Sequence, residues 1–172
     1  PRECSCFSVD EEHQVFHLFC NTVVTMDEQA GQLFTDVFQV EQVDPDGKKF
    51  DRVSRIVCRG DTFGMVMTVD VHSEFFRCKS GDRVKMTLTS TINTNGEPGP
   101  DTYEPPTGPT LLDDYDYGMH GQVFHFENKE ENNIAVYVSY GGLLMRLEGN
   151  RRHVNPDIKE NMKLYCLMKK EF

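Results

Sequence analysis

The chain has 172 residues, 18 Lys+Arg against 28 Asp+Glu, and a formal charge of −10. That length suits one ordinary domain, and 12 Phe, 6 Tyr and 8 Met can fill a core although only 38% of residues are hydrophobic. No run of about 18 apolar residues is present, which excludes a membrane-spanning helix. The net negative charge opposes a protein that coats duplex DNA by itself.

The chain opens at Pro1 rather than at Met. Residues 1–25 read as a leader foreign to the rest of the chain, either disordered or untranslated, with Met26 as the start of the domain. The leader holds Cys4, Cys6, Cys20, His13 and His17. The acids Asp10, Glu11 and Glu12 precede its apolar stretch Val15–Val24, where a secretory signal needs a basic flank. Cys4, Cys6, His13 and His17 are chemically suited to zinc. Their spacing matches no common zinc module, so no metal site is expected. Cys58, Cys78 and Cys166 lie beside strand-like sequence and read as reduced thiols of a cytosolic or nuclear protein.

From Leu33 onward the apolar period is two, the signature of strands with one hidden face. Eight strands are expected, at 33–43, 50–59, 62–71, 83–91, 115–126, 134–140, 143–149 and 162–169. Phe63, Met65, Met67, Val69 and Val71 share one face of the third, and Leu143, Met145 and Leu147 one face of the seventh. Asp44-Pro45-Asp46-Gly47 and Gly141-Gly142 read as turns, the latter a two-residue hairpin. Short antiparallel strands separated by such turns predict an all-β barrel or sandwich. Closure into a barrel also removes exposed strand edges.

The segment 93–114 carries five prolines and cannot ladder, since proline lacks the donor. It divides the strands four and four, into halves at about 33–91 and 115–170, and reads as a mobile acidic loop. The leader carries a net −3 and residues 93–116 a net −6. Only −1 of the total remains for the body.

No catalytic constellation stands out. Ser139 is not in a nucleophile elbow, Gly47-Lys48 is not a phosphate-binding loop, and Asp44-x-Asp46-Gly47 lacks the glycine and glutamate of a calcium loop. His72, His120 and His125 are separate in sequence and read as strand histidines with ordinary partners.

Two segments carry more content. Lys48, Lys49, Phe50, Arg52, Arg55 and Arg59 mix cations with an aromatic ring, as a single-strand nucleic-acid contact would. The same charges also suit a solvated or protein-facing strand, and a nucleic-acid site would need more exposed aromatics than Phe50. In Tyr140-Gly141-Gly142-Leu143-Leu144-Met145-Arg146, Leu144 falls on the face of Arg146, away from Leu143 and Met145. An apolar side chain pointing outward beside Gly-Gly suggests a contact surface.

Asp44–Arg55, Tyr137–Leu147 and Leu167–Lys170, in that order, resemble the small eighth subunit shared by eukaryotic nuclear RNA polymerases I, II and III, and the similarity spans about Gly31 to Phe172. The resemblance implies a non-catalytic subunit folded as an eight-stranded antiparallel barrel of two OB-like halves, without cofactor, metal or small-molecule substrate. It implies docking mainly on the largest subunits of the three polymerases and on neighbouring core subunits, with Leu144 and Arg146 buried there. It also implies residence in the nucleus, both nucleoplasm and nucleolus, and weak nonspecific single-stranded DNA contact through the stretch matching Asp44–Met67. The rivals are a free-standing OB-type single-strand binder and, more remotely, a metal-dependent enzyme using the leader. Residues 1–25 have no counterpart in the family, and 93–114 and 150–163 match only in type.

Overall fold

A computed structural model describes residues 31–97 and 108–171. The leader, with Cys4, Cys6, His13 and His17, lies outside them, as does 98–107. The described residues form β1 (Gln32–Val43), β2 (Val53–Gly60), β3 (Val66–His72), β4 (Arg83–Thr89), β5 (Tyr117–Asn128), β6 (Asn133–Tyr140), β7 (Leu143–Asn150) and β8 (Lys163–Glu171). The helical residues among them form three single 3-10 turns.

The strands close into one barrel in the order β1-β2-β3-β7-β6-β5-β8-β4, every pairing antiparallel. Read from β4, the first half runs β4-β1-β2-β3 and the second β8-β5-β6-β7. Each is the 4-1-2-3 order of a Greek key. Last pairs with last (β4 with β8) and third with third (β3 with β7), so the two halves meet at two seams.

Alternation puts one face of each strand inside. Phe38, Val40, Ile56, Met65, Met67, Val69, Val71, Val84, Met86, Leu88, Val136, Val138, Met145 and Leu147 are all buried in one cluster. Four of these are methionines, whose flexible side chains fill the irregular interior of a small barrel.

Four strands begin later than alternation alone implies, β5 by two residues, β8 by one, and β2 and β3 by more. Phe50 does not enter β2; it forms an isolated bridge with Val53, and β2 starts there. Residues 61–64 do not belong to β3, because the buried carboxylate of Asp36 on β1 organises them as a turn. It accepts the N–H groups of Val37 (2.8 Å), Thr62 (3.2 Å) and Phe63 (3.3 Å). Gly60 is required beside it, since a Cβ there would stand 2.5 Å from an Asp36 oxygen.

Both stems of the 93–114 segment are tied to the barrel. Thr91 Oγ1 donates to the Glu97 carbonyl at 2.7 Å, and the Leu111 N–H to the Ile92 carbonyl at 2.9 Å. Leu111 is buried in the short 3-10 turn at the second stem.

Cys58 and Cys166 are buried free thiols and Cys78 is half-buried. Burial pushes Cys58 and Cys166 up to about 12 and Cys78 to about 11. Above pH 9 the unfolded chain therefore releases thiol protons that the fold retains. Stability from this source is complete below about pH 9 and declines as pH rises towards 12. Urea midpoints should fall between pH 9 and 11, and Cys58→Ser/Cys166→Ser should flatten that dependence; a flat profile in the parent chain would contradict it.

Candidate docking surface

The two segments singled out in the sequence meet in the fold, and β3 is what joins them. β3 lies between β2 and β7, with Arg55 opposite Asp70 on one side and Met145 opposite Val69 on the other. Asp70 is buried although it faces outward. Its carboxylate accepts Arg55 Nε at 2.7 Å and Arg55 Nη2 at 2.9 Å, a bidentate pair that matches the guanidinium fork. It also accepts the N–H of Leu144 at 3.3 Å. The bond to Asp70 holds the Arg55 pKa above its ordinary value.

Tyr140 and Leu143 are directly opposed, and Gly141 and Gly142 bridge them with φ of +63° and +105°. Both values are left-handed, as a type I′ turn demands and only glycine adopts cheaply. The expected contact residues then divide by face. Tyr140 and Met145 are core residues and Leu143 packs against the core. Gly141, Gly142 and Leu144 are exposed, and Leu144 keeps 45% of its surface in solvent. Arg146 faces outward, half-buried, ion-paired with Glu148 and 6.0 Å from the Tyr137 ring centroid. Its Nε is buried with no partner among the described residues.

The basic stretch is largely neutralised. Lys49 pairs with Asp46 (3.3 Å), Arg52 with Glu74 (3.6 Å), Arg55 with Asp70 and Arg59 with Glu41 (2.7 Å). Of these cations only Lys48 lacks an ion pair among the described residues. Cross-strand partners such as Glu41 and Asp70 are far away in sequence, so no local reading could assign them.

Phe50 is 67% exposed, and a second aromatic that sequence reasoning passed over stands near it. Phe75, 76% exposed, sits on the loop after β3, its ring centroid 4.6 Å from that of His72. Ser73 N–H donates to the Arg52 carbonyl at 2.8 Å, which ties this loop to the one carrying Phe50. The buried, stacked neighbour Phe76 masks Phe75 in the sequence, because Phe-Phe reads as core. Among the described residues, three of the four exposed large apolar side chains, Phe50, Phe75 and Leu144, thus belong to one end of the barrel around Asp70. The fourth, Phe124, is added to the outer face by a bulge in β5.

The histidines differ from the sequence expectation in one case. The His120 ring lies tilted against that of Tyr165, centroids 4.4 Å apart, and its pKa is lowered by burial and by Lys163. His72 Nδ1 is buried with no partner among the described residues. Among those residues no group of three or more His, Cys, Asp or Glu could hold a metal.

Replacing Asp70 by Asn removes the charge facing Arg55 while keeping the shape. We expect a loss of about 1–2 kcal/mol in urea unfolding, with faster amide exchange at Leu144; an unchanged Leu144 amide would separate the hairpin from Asp70.

Comparison with known proteins agrees with this architecture. The family model described as RNA polymerase Rpb8 matches residues 35–170. The chain is 39% identical over 145 residues to the probable RPABC3 subunit of DNA-directed RNA polymerases I, II and III of Caenorhabditis elegans, covering 82% of this chain and 97% of that relative. It is 39% identical over 140 residues to the RPABC3 subunit of polymerases I, II and III of Saccharomyces cerevisiae, covering 77% of this chain and 94% of the relative. It is 36% identical over 140 residues to subunit 8B of polymerases II, IV and V of Arabidopsis thaliana, covering 80% and 95%. With four-fifths of its length matched by the family model, the chain belongs to the Rpb8 family of RNA polymerase subunits.

Proposed function

We propose that the protein is a non-catalytic structural subunit common to nuclear RNA polymerases I, II and III, acting in the nucleoplasm and nucleolus. Its role is to dock on the largest subunit and on neighbouring core subunits through the end of the barrel around Asp70. Leu144 carries the reading: it is an apolar side chain held outward on a tight glycine hairpin, its backbone anchored by a buried carboxylate. Leu144, Phe50 and Phe75 supply rigid apolar contacts, and Arg146 a charge already oriented by Glu148. A surface that is ordered before docking loses little conformational entropy on binding.

A second role, weak contact with single-stranded nucleic acid, is favoured by one observation. Phe75 supplies the additional exposed ring that Phe50 alone could not, and two rings on joined loops can stack bases. Lys48, Lys49, Arg52, Arg55 and Arg59 would meet the phosphates, but four of these five already have carboxylate partners. The contact is therefore subordinate to docking, and a free-standing single-strand binder is the weaker alternative.

Tagged chain recovered from nuclear extract should bring down large polymerase subunits at constant stoichiometry. Leu144→Asp should reduce that recovery at least tenfold with an unaltered melting temperature. Equal recovery would sink the assignment of the hairpin. For oligothymidylate, the affinity should fall with salt at a slope below about 2 on a log–log plot, since each phosphate contact adds about 0.7. A slope of 4 or more would restore the free-standing binder.

A further inference from the structure

The second seam between the half-barrels pairs β4 with β8, which lie three and four strands around the barrel from Asp70 on β3. Lys85 on β4 and Lys169 on β8 are direct register partners there. Opposed residues of an antiparallel pair hold their Cβ atoms about 5 Å apart, where like charges repel. Neither lysine forms an ion pair among the described residues.

Both lysines line an open groove of about 610 Å³, together with Thr35 and Tyr115. Thr35 Oγ1 lies 2.9 Å from Thr87 Oγ1, which lies 2.8 Å from Tyr115 Oη. Three hydroxyls carry three protons and share two hydrogen bonds. The proton left over belongs to Thr35 or Tyr115, which both line the groove, or to Thr87 when it accepts from both neighbours. Two ammonium groups without ion pairs and both ends of a hydroxyl chain thus line one groove, a donor set suited to an oxyanion.

The groove is not uniformly basic. Asp36 lines it, but its oxygens are engaged by the three backbone N–H groups of the 61–64 turn. Asp114, on the 3-10 turn, and Glu171, at the end of β8, also line it and have no ion pair among the described residues. A phosphate backbone would be repelled by these two carboxylates and has no cation to offer them.

We propose that this groove is a second docking site, for a protein segment of mixed charge. Such a segment places a carboxylate between Lys85 and Lys169, accepts a hydrogen bond from the Thr35 or Tyr115 hydroxyl, and sets basic side chains against Asp114 and Glu171. The inference rests on the reading of the chain as an assembled subunit, but not on the hairpin.

The test is a nitrogen-15 NMR titration of the full chain at constant ionic strength with acetyl-Lys-Gly-Glu-Gly-Lys-amide. Saturable shifts are expected at the amides of Lys85, Lys169, Thr35 and Tyr115. Binding should weaken at least fivefold for the peptide with Gln in place of Glu, and at least fivefold for Lys85→Gln or Lys169→Gln. Both variants should melt no lower than the parent at low salt, since each relieves the repulsion. Leu144→Asp should leave the titration unchanged, which separates this site from the hairpin. Shifts that do not saturate, equal binding of the Gln peptide, stronger shifts of the same amides by oligothymidylate, or a lower melting temperature for both variants would overturn the proposal.

Discussion

Two strand pairings turn a pair of four-stranded sheets into a barrel, and they are unequal. The β4–β8 seam has seven register pairs, whereas the β3–β7 seam has four. The shorter ladder ends at Val69 opposite Met145. One residue further on, the Asp70 side chain takes the N–H of Leu144, so a carboxylate continues what the backbone ladder leaves unfinished. The same group binds Arg55 on the far side of β3. One side chain thereby fixes the spacing of three strands at the thinner seam, and everything displayed at that end of the barrel depends on its position.

Closure dictates how such a protein meets others. A closed sheet offers no unpaired edge, so a partner cannot add a strand and must recognise side chains. That requirement fits the proposed docking role of apolar residues kept in solvent on stiff supports: Leu144 beside two glycines in left-handed conformations, and Phe75 with its ring tilted against that of His72. It also explains the state of the cations. Exposed ion pairs add little stability, but they orient guanidinium and ammonium groups and lower the net field, which favours selective protein contact over a general attraction to phosphate.

Most of the architecture could be read from alternation, because a strand with one buried face writes a period of two into its sequence. The third and seventh strands are clear cases, and the outward aim of Leu144 followed from its parity with Arg146. Strand starts were less legible. Phe63 keeps the parity of Met65 and Met67, yet it belongs to a turn, because the group that bends the chain there, Asp36, lies on another strand. The candidate site was half visible. The hairpin and the basic stretch are contiguous segments and show themselves as such. Asp70 and Glu41 gained their roles only through pairing, and Phe75, next to the buried Phe76, carries no local mark of its exposure. What sequence reading missed was in each case a relation between residues that folding brings together.

The order of strands has a consequence for synthesis. Among the described residues the last strand in chain order, β8, is the one inserted between β4 and β5. Until it leaves the ribosome, both neighbours present bare backbone edges, and a chain cut short by even that single strand stays open. Such a chain would be sticky rather than merely unstable. Closure of the barrel therefore waits on β8, and until it is in place two strand edges remain for chaperones or other chains to grip.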